Sequence, residues 1–172
     1  MGRPESKTPD ESSVDDYVYK IFPNDLNDQG TMFGGSVASI LDRVAVVIAQ
    51  RHSQRVCVTV SIDAVHFLAP ARKGDNLIIK GCVNRAWHSS MEIGLKVMAE
   101  NAYIGETRHI VSAYFTFVAL DDWNKPTPVP AVIPKTEPQK RRYQEADKRR
   151  QTRIQATKEM DEFRKSFKKE ES

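Results

Sequence analysis

A chain of 172 residues with 40% hydrophobic and 28% charged residues has enough material for one domain with a proper core, plus appendages. No apolar run reaches the roughly 18 residues that a membrane-spanning helix needs, and the polar start MGRPESKTPDESS lacks the apolar stretch of a secretory signal. The net charge of +3 belongs to one end: residues 137–172 hold 12 Lys+Arg against 8 Asp+Glu and leave the rest of the chain at −1, which argues against a basic nucleic-acid-binding domain.

In chain order, residues 1–13 are rich in Pro, Ser and acid and are expected to be disordered. Val14 to Phe22 reads as a first strand, stopped by Pro23-Asn24-Asp25. A polar loop follows and tightens at Phe33-Gly34-Gly35. Val37, Ile40, Leu41, Val44 and Ile48 then fall at helical spacing, with Ser36 as the expected cap. This segment is apolar nearly all round, as in a buried helix, yet Asp42 sits in its middle. A buried ionised acid costs several kcal/mol unless it is paired, hydrogen-bonded or at work.

Arg55 to Phe67 alternates strictly and predicts a strand. Val56, Val58, Val60, Ile62 and Ala64 form the face expected to cover the helix. Cys57, Thr59, Ser61, Asp63 and Val65 look the other way. Asn76–Trp87, Met91–Asn101 and His109–Leu120 are three more strands, separated by short turns that favour an antiparallel meander. One helix plus such a sheet predicts an α+β fold. Pro126, Pro128, Pro130, Pro134 and Pro138 mark a linker over residues 123–138. Residues 139–172 read as a charged, solvated helix with a thin apolar set: Tyr143, Ile154, Met160, Phe163 and Phe167. That helix is a candidate for docking on a neighbouring subunit. Cys57 and Cys82 read as buried free thiols of a reduced compartment, and no His/Cys spacing suits a metal.

Three stretches carry a resemblance. They are Asn27-Asp28-Gln29-Gly30-Thr31-Met32-Phe33-Gly34-Gly35 followed by Asp42 in the apolar helix, Val58-Thr59-Val60-Ser61-Ile62-Asp63, and Ser89-Ser90-Met91-Glu92-Ile93. In this order and spacing the chain resembles the hotdog-fold acyl-CoA thioesterases of the cytosolic acyl-CoA hydrolase type. The resemblance spans about residues 15 to 130. It implies a hotdog domain over residues 14–122, an antiparallel sheet wrapped around a long central helix. It also implies hydrolysis of acyl-CoA to free fatty acid and CoA in the cytoplasm. CoA enters as part of the substrate, and no metal or other cofactor is implied.

The same resemblance assigns roles. Asp42 is the catalytic acid, Asn27 completes the site from the partner subunit of a dimer, and Thr59 is a third member. His88, Ser89 and Ser90 begin a strand beside the pantetheine arm of CoA. The family builds trimers of such dimers. One departure is Arg43, where many relatives have Glu.

The residues themselves also suggest this chemistry. A thioester carbonyl needs a base or nucleophile and donors for the developing oxyanion. Asp42 is a candidate for the first. Gly34 and Gly35, at a helix N-terminus with unused N–H groups, are candidates for the second. Plainer readings stand beside these. Asp42 could cap an element or pair with a buried Arg, Gly34-Gly35 could be only a tight turn, Asn27 an Asx-turn, and Thr59 an ordinary strand residue.

Three other functions compete, one of them nucleic-acid binding through the tail's basic clusters, Lys140-Arg141-Arg142 and Lys148-Arg149-Arg150, among which acids are interspersed and Tyr143 is the only aromatic. A non-catalytic acyl-CoA binder would have no need of Asp42 and Asn27. A hotdog dehydratase would need a His in the loop before the helix, and Pro23–Gly35 has none.

Overall fold

The computed structural model describes residues 4–170, with side chains to residue 166. Five strands form one antiparallel sheet: β1 (Val14–Lys20), β2 (Val56–Phe67), β3 (Asp75–Ala86), β4 (Ser90–Asn101) and β5 (Glu106–Leu120), in the order β1-β3-β4-β5-β2. Helix α1 (Gly34–Ser53) lies on the inner face and helix α2 (Glu137–Glu170) on the outer face. The meander expected from the short turns is present as β3-β4-β5. An α+β sheet around one long helix is the hotdog architecture.

Period-two alternation builds the inner face. Leu77, Ile79 and Val83 of β3, Ile93, Leu95 and Val97 of β4, and Ala113, Phe115 and Phe117 of β5 are all buried there. They meet Val37, Leu41, Val44, Ala45, Ile48 and Ala49 of α1, which recur at helical spacing. Gly81 allows the close approach, since a Cβ there would stand 2.8 Å from the Ile48 Cδ1. The opposite side of α1 is open: Ser39, Arg43, Val47 and Gln50 are exposed. The helix is therefore buried on one side only.

Strand β2 departs from the sequence reading. Val56 and Val58 sit on the rungs of Leu120 and Val118 and point outward, while Cys57 and Thr59 turn towards α1. A register shift at Thr59/Ser61 then turns Ile62 inward, opposite Phe115, and a second at Ile62/Ala64 restores the first parity, with Val65 inward opposite Ala113. Strict alternation in the sequence hides these bulges, because period-two counting assumes an unbroken ladder.

Residues 4–13 also differ from the disorder expected of 1–13; residues 1–3 lie outside the described ones. Lys7 N donates to Ala131 O (2.9 Å), and Ile133 N donates to Lys7 O (2.9 Å). Lys7 Nζ caps the end of α1 through Arg51 O (3.1 Å) and His52 O (2.9 Å). The buried His52 ring meets Pro130 O (3.1 Å) and Ser12 Oγ (3.5 Å). The proline segment thus runs as a strap over the core, with Val129 and Val132 buried, rather than as a free linker.

Helix α2 starts on a capping box: Gln139 Oε1 accepts from Thr136 N (3.1 Å), and Thr136 Oγ1 accepts from Gln139 N (3.4 Å). Its first half docks on this chain's own sheet, where a solvated helix was expected. Glu92, almost fully buried, accepts from Arg149 Nε (3.0 Å), Arg149 Nη2 (2.7 Å) and Asn84 Nδ2 (2.9 Å). The Arg149 guanidinium lies 3.7 Å from the Tyr114 ring centre. Asp63 accepts from Arg153, Thr116 (2.9 Å) and Ser61 (2.7 Å). Burial raises the Asp63 carboxyl, but these donors outweigh it and hold the group below its ordinary value. Phe167, the last of the tail's apolar set, lies outside the described side chains.

Candidate active site

Asp42 lies two turns inside α1, half-buried on the open side of the helix. Thr59 of β2 faces it, and Thr59 Oγ1 donates to Asp42 Oδ1 at 2.7 Å. The reversed face of β2 makes this bond possible. One carboxylate oxygen is oriented by a hydroxyl, and the other has no hydrogen bond among the described residues. A base held by one donor with a second oxygen open to a water or a carbonyl has the geometry that acyl transfer needs.

Asn27 opens a tight loop. Its Oδ1 accepts from Gln29 N (3.0 Å), Thr31 N (3.1 Å) and Thr31 Oγ1 (3.1 Å), while Asn27 N donates to Thr31 O (2.8 Å). Gly30, at φ +69°, supplies the left-handed residue that closes it. The Asx-turn is therefore real. It occupies the side-chain oxygen and leaves Nδ2 as the amide group available to a ligand.

The helix begins at Gly34, with Phe33 rather than Ser36 at the cap position and no capping side chain. The first helical bond runs from Val37 N to Phe33 O (3.1 Å). The N–H groups of Gly34 and Gly35 precede it and have no partner among the described residues. A Cβ on Gly34 would meet the Phe67 ring at 3.1 Å, so the glycine lets that ring close over the helix start. Beside it lies an apolar cleft of about 430 Å³, lined by Met32, Val37, Phe67, Leu68 and Ile110. Sequence reasoning missed this cleft, which joins the helix start to β2 and β5 across long separations; the apolar Phe67 at the end of β2 was its one signal.

The chain brings some candidates together and keeps others apart. Asp42 and Thr59 touch. Gly34 lies eight residues before Asp42 on the same helix, about 12 Å along its axis. One thioester carbonyl cannot sit within hydrogen-bond reach of both. His88 and Ser89 lie in the β3–β4 turn and Ser90 opens β4; the carbonyls of Ser89 and His88 accept from Ala119 N (2.9 Å) and Val129 N (2.9 Å). Ser90 shares the Val118 rung with Val58, two strands from β2 and about 10 Å away. Within one chain, none of these three side chains reaches Asp42. Among the described residues no cluster of His, Cys, Asp and Glu has the makings of a metal site.

Residues 29–105 match the family model described as the thioesterase superfamily. The uncharacterized acyl-CoA thioester hydrolase YkhA of Bacillus subtilis is 40% identical over 137 residues, 80% of this chain and 79% of the relative. A hexameric acyl-CoA thioesterase, solved without ligand, superposes with a TM-score of 0.86 at 35% identity, over 90% of this chain and 98% of that one.

The acyl-CoA hydrolase of Staphylococcus aureus, solved with butyryl coenzyme A, coenzyme A and coenzyme A disulfide, gives 0.84 at 34% identity, over 92% and 98%. Variants of that hydrolase have been solved with an Asp, a Thr and an Asn each replaced by alanine, the Asn variant with coenzyme A bound. There the Asn, Asp and Thr follow one another at intervals of fifteen and seventeen residues, the intervals that separate Asn27, Asp42 and Thr59. With that identity across four fifths of both sequences and a hotdog architecture in common, the chain belongs to the acyl-CoA thioester hydrolases of the thioesterase superfamily.

Proposed function

We propose that this protein hydrolyses acyl-CoA, with water, to a free acid and coenzyme A at a site shared between two copies of the chain. The carrying observation is the 2.7 Å bond from Thr59 to Asp42, set about 12 Å along α1 from the free N–H groups of Gly34 and Gly35. Asp42 and Thr59 of one copy face Asn27 and the helix start of the other. The Gly35 N–H, helped by Gly34, receives the carbonyl oxygen as it gains negative charge. Asn27 Nδ2 holds the water or the carbonyl.

Asp42 removes the proton of the attacking water, and the C–S bond breaks to release the CoA thiolate, which is then protonated. Direct attack by Asp42 would instead form an anhydride that water opens. Label found in Asp42 after a single turnover in ¹⁸O-water would establish the anhydride route, with water opening the anhydride at the Asp42 carbonyl. The apolar cleft beside Gly34 takes the acyl chain, and the His88–Ser90 turn of one copy lies along the pantetheine arm.

The assembly is a homo-oligomer built on dimers, for which the hexameric relative is the support. The edge strand β2, with an open hydrogen-bonding edge and exposed Val56, Val58 and Val60, gives such a dimer its surface. We place the enzyme in the cytoplasm, in keeping with the two unpaired thiols of Cys57 and Cys82.

The test is free-thiol release from short, medium and long acyl-CoAs, comparing wild type with Asp42→Ala at matched oligomeric size. A fall of at least about 10³-fold in a still-assembled variant is expected. Unchanged turnover would make Asp42 structural. No release by the wild type, with acyl-CoA still bound, would make the protein a binder.

A further inference from the structure

Helix α2 crosses the outer face of the sheet one strand after another. Asp147 pairs with Arg85 of β3 (3.4 Å), Arg149 with Glu92 of β4 (2.7 Å), and Arg153 with Asp63 of β2. The helix therefore leaves the sheet over its edge strand. Past that edge it continues for 17 residues, about 25 Å. The recorded bonds of Gln155, Thr157 and Asp161 run to Glu159, Arg153 and Arg164, all within the helix. Yet Ile154 and Met160 stand 42% and 53% exposed.

A second apolar surface lies just across the edge. Val56 and Val58 point to the same outer face that α2 crosses, and they are 61% and 40% exposed. Two β2 strands paired antiparallel edge to edge would put a second sheet in line with the first. Strands are spaced about 4.8 Å apart and a helix rises about 1.5 Å per residue, so α2 advances one strand in about three residues. It would stand over the second β2 near residue 157 and over the strand beyond it near Met160. Antiparallel pairing about the middle of β2 also sets the second copy's Val58–Val60 stretch opposite Asp63, where the helix leaves its own sheet.

We infer that the part of α2 from Ile154 onward is an intersubunit arm. It lies on the outer sheet face of a second copy of this chain, with Met160, on the same helix face as Arg153, over the Val58–Val118 rung of that copy's β2 and β5. The inference rests on the dimer proposed above. It adds a contact on the face opposite α1, away from Asp42.

The experiment uses the full-length chain carrying a benzophenone side chain at Met160, irradiated at concentrations where the protein is assembled. The cross-linked peptides are identified by mass spectrometry. In parallel, light scattering follows mass against concentration for wild type, Met160→Asp and a chain ended at Arg153. The expected result is a cross-link of two-chain mass between position 160 and a peptide containing Val118 or Val58. Both altered chains should also half-dissociate at a concentration at least tenfold higher than wild type.

Cross-links confined to one chain, or to an unrelated protein, with unchanged dissociation would overturn the arm. If the protein is still oligomeric and still releases thiol, the shared site stands without it. A wild type that is monomeric at every concentration removes the dimer and the arm together.

Discussion

The hydroxyl of Thr59 matters because it aims a carboxylate that has little else to hold it. In Thr59→Val the methyl groups keep the strand packing while the 2.7 Å bond to Asp42 is lost. Turnover should fall about 10- to 100-fold with a small change in KM, the signature of a group that positions the base in the transition state. A loss confined to KM would make Thr59 a substrate contact instead. Asp42 was legible in the sequence as an acid in an apolar helix. Thr59 was not: on composition it is an ordinary strand residue, and only the resemblance singled it out. Asn27 was legible as an Asx-turn, which the structure has, and that turn uses the amide oxygen and leaves Nδ2 for the role proposed above. The cleft beside Gly34 was illegible because it depends on the Phe67 ring meeting a helix start more than thirty residues earlier.

At the scale of elements, the strands of the meander and the buried side of α1 follow directly from periodicity, and the structure has them where alternation puts them. Two elements do not. Strand β2 is misread because a bulge leaves no mark in a run of alternating residues. Helix α2 is misread because its docking is ionic and aromatic rather than apolar, so a hydropathy pattern reports a solvated helix.

The Glu92–Arg149–Asn84 cluster tests that docking. Glu92→Ala leaves Arg149 without its partner beside a buried Asn84, and it should lower stability by about 3–5 kcal/mol. Glu92→Leu with Arg149→Leu removes both charges and should recover most of that loss. Denaturant unfolding of the three proteins measures the difference. Equal losses in the single and double variants would mean that the stranded Arg149 charge is not what destabilises Glu92→Ala.

On the scale of the molecule, the start of the chain, the proline strap and the end of α1 meet at one buried imidazole. Burial lowers the His52 pKa below its ordinary 6.5, the Pro130 carbonyl raises it in part, and the Lys7 ammonium lowers it again. Above pH 6.5 the ring is neutral in both folded and unfolded chains, and its contribution to stability is fully present. As pH falls below 6.5 the unfolded chain takes up the proton first, so stability drops until the folded ring titrates as well. The melting temperature should therefore decline through the range just below pH 6.5, and His52→Gln should flatten that decline. An unchanged slope would assign the acid sensitivity to other groups. Disorder was the natural reading of residues 1–13, because what orders them is backbone pairing with the strap and a single lysine at a helix end. Neither has a signature in hydropathy.

The 12 Å that separates Asp42 from the start of its own helix has a genetic consequence. In the proposed shared site each copy contributes two unlike halves to two different sites, so two inactive chains need not make an inactive oligomer. Chains carrying Asp42→Ala and chains carrying Asn27→Ala, mixed in equal amounts and reassembled, would pair as hybrids half the time. Each hybrid would hold one doubly damaged site and one untouched site. Activity should climb from near zero in either pure variant to about a quarter of wild type in the mixture. A catalytic unit confined to one chain would show no such complementation.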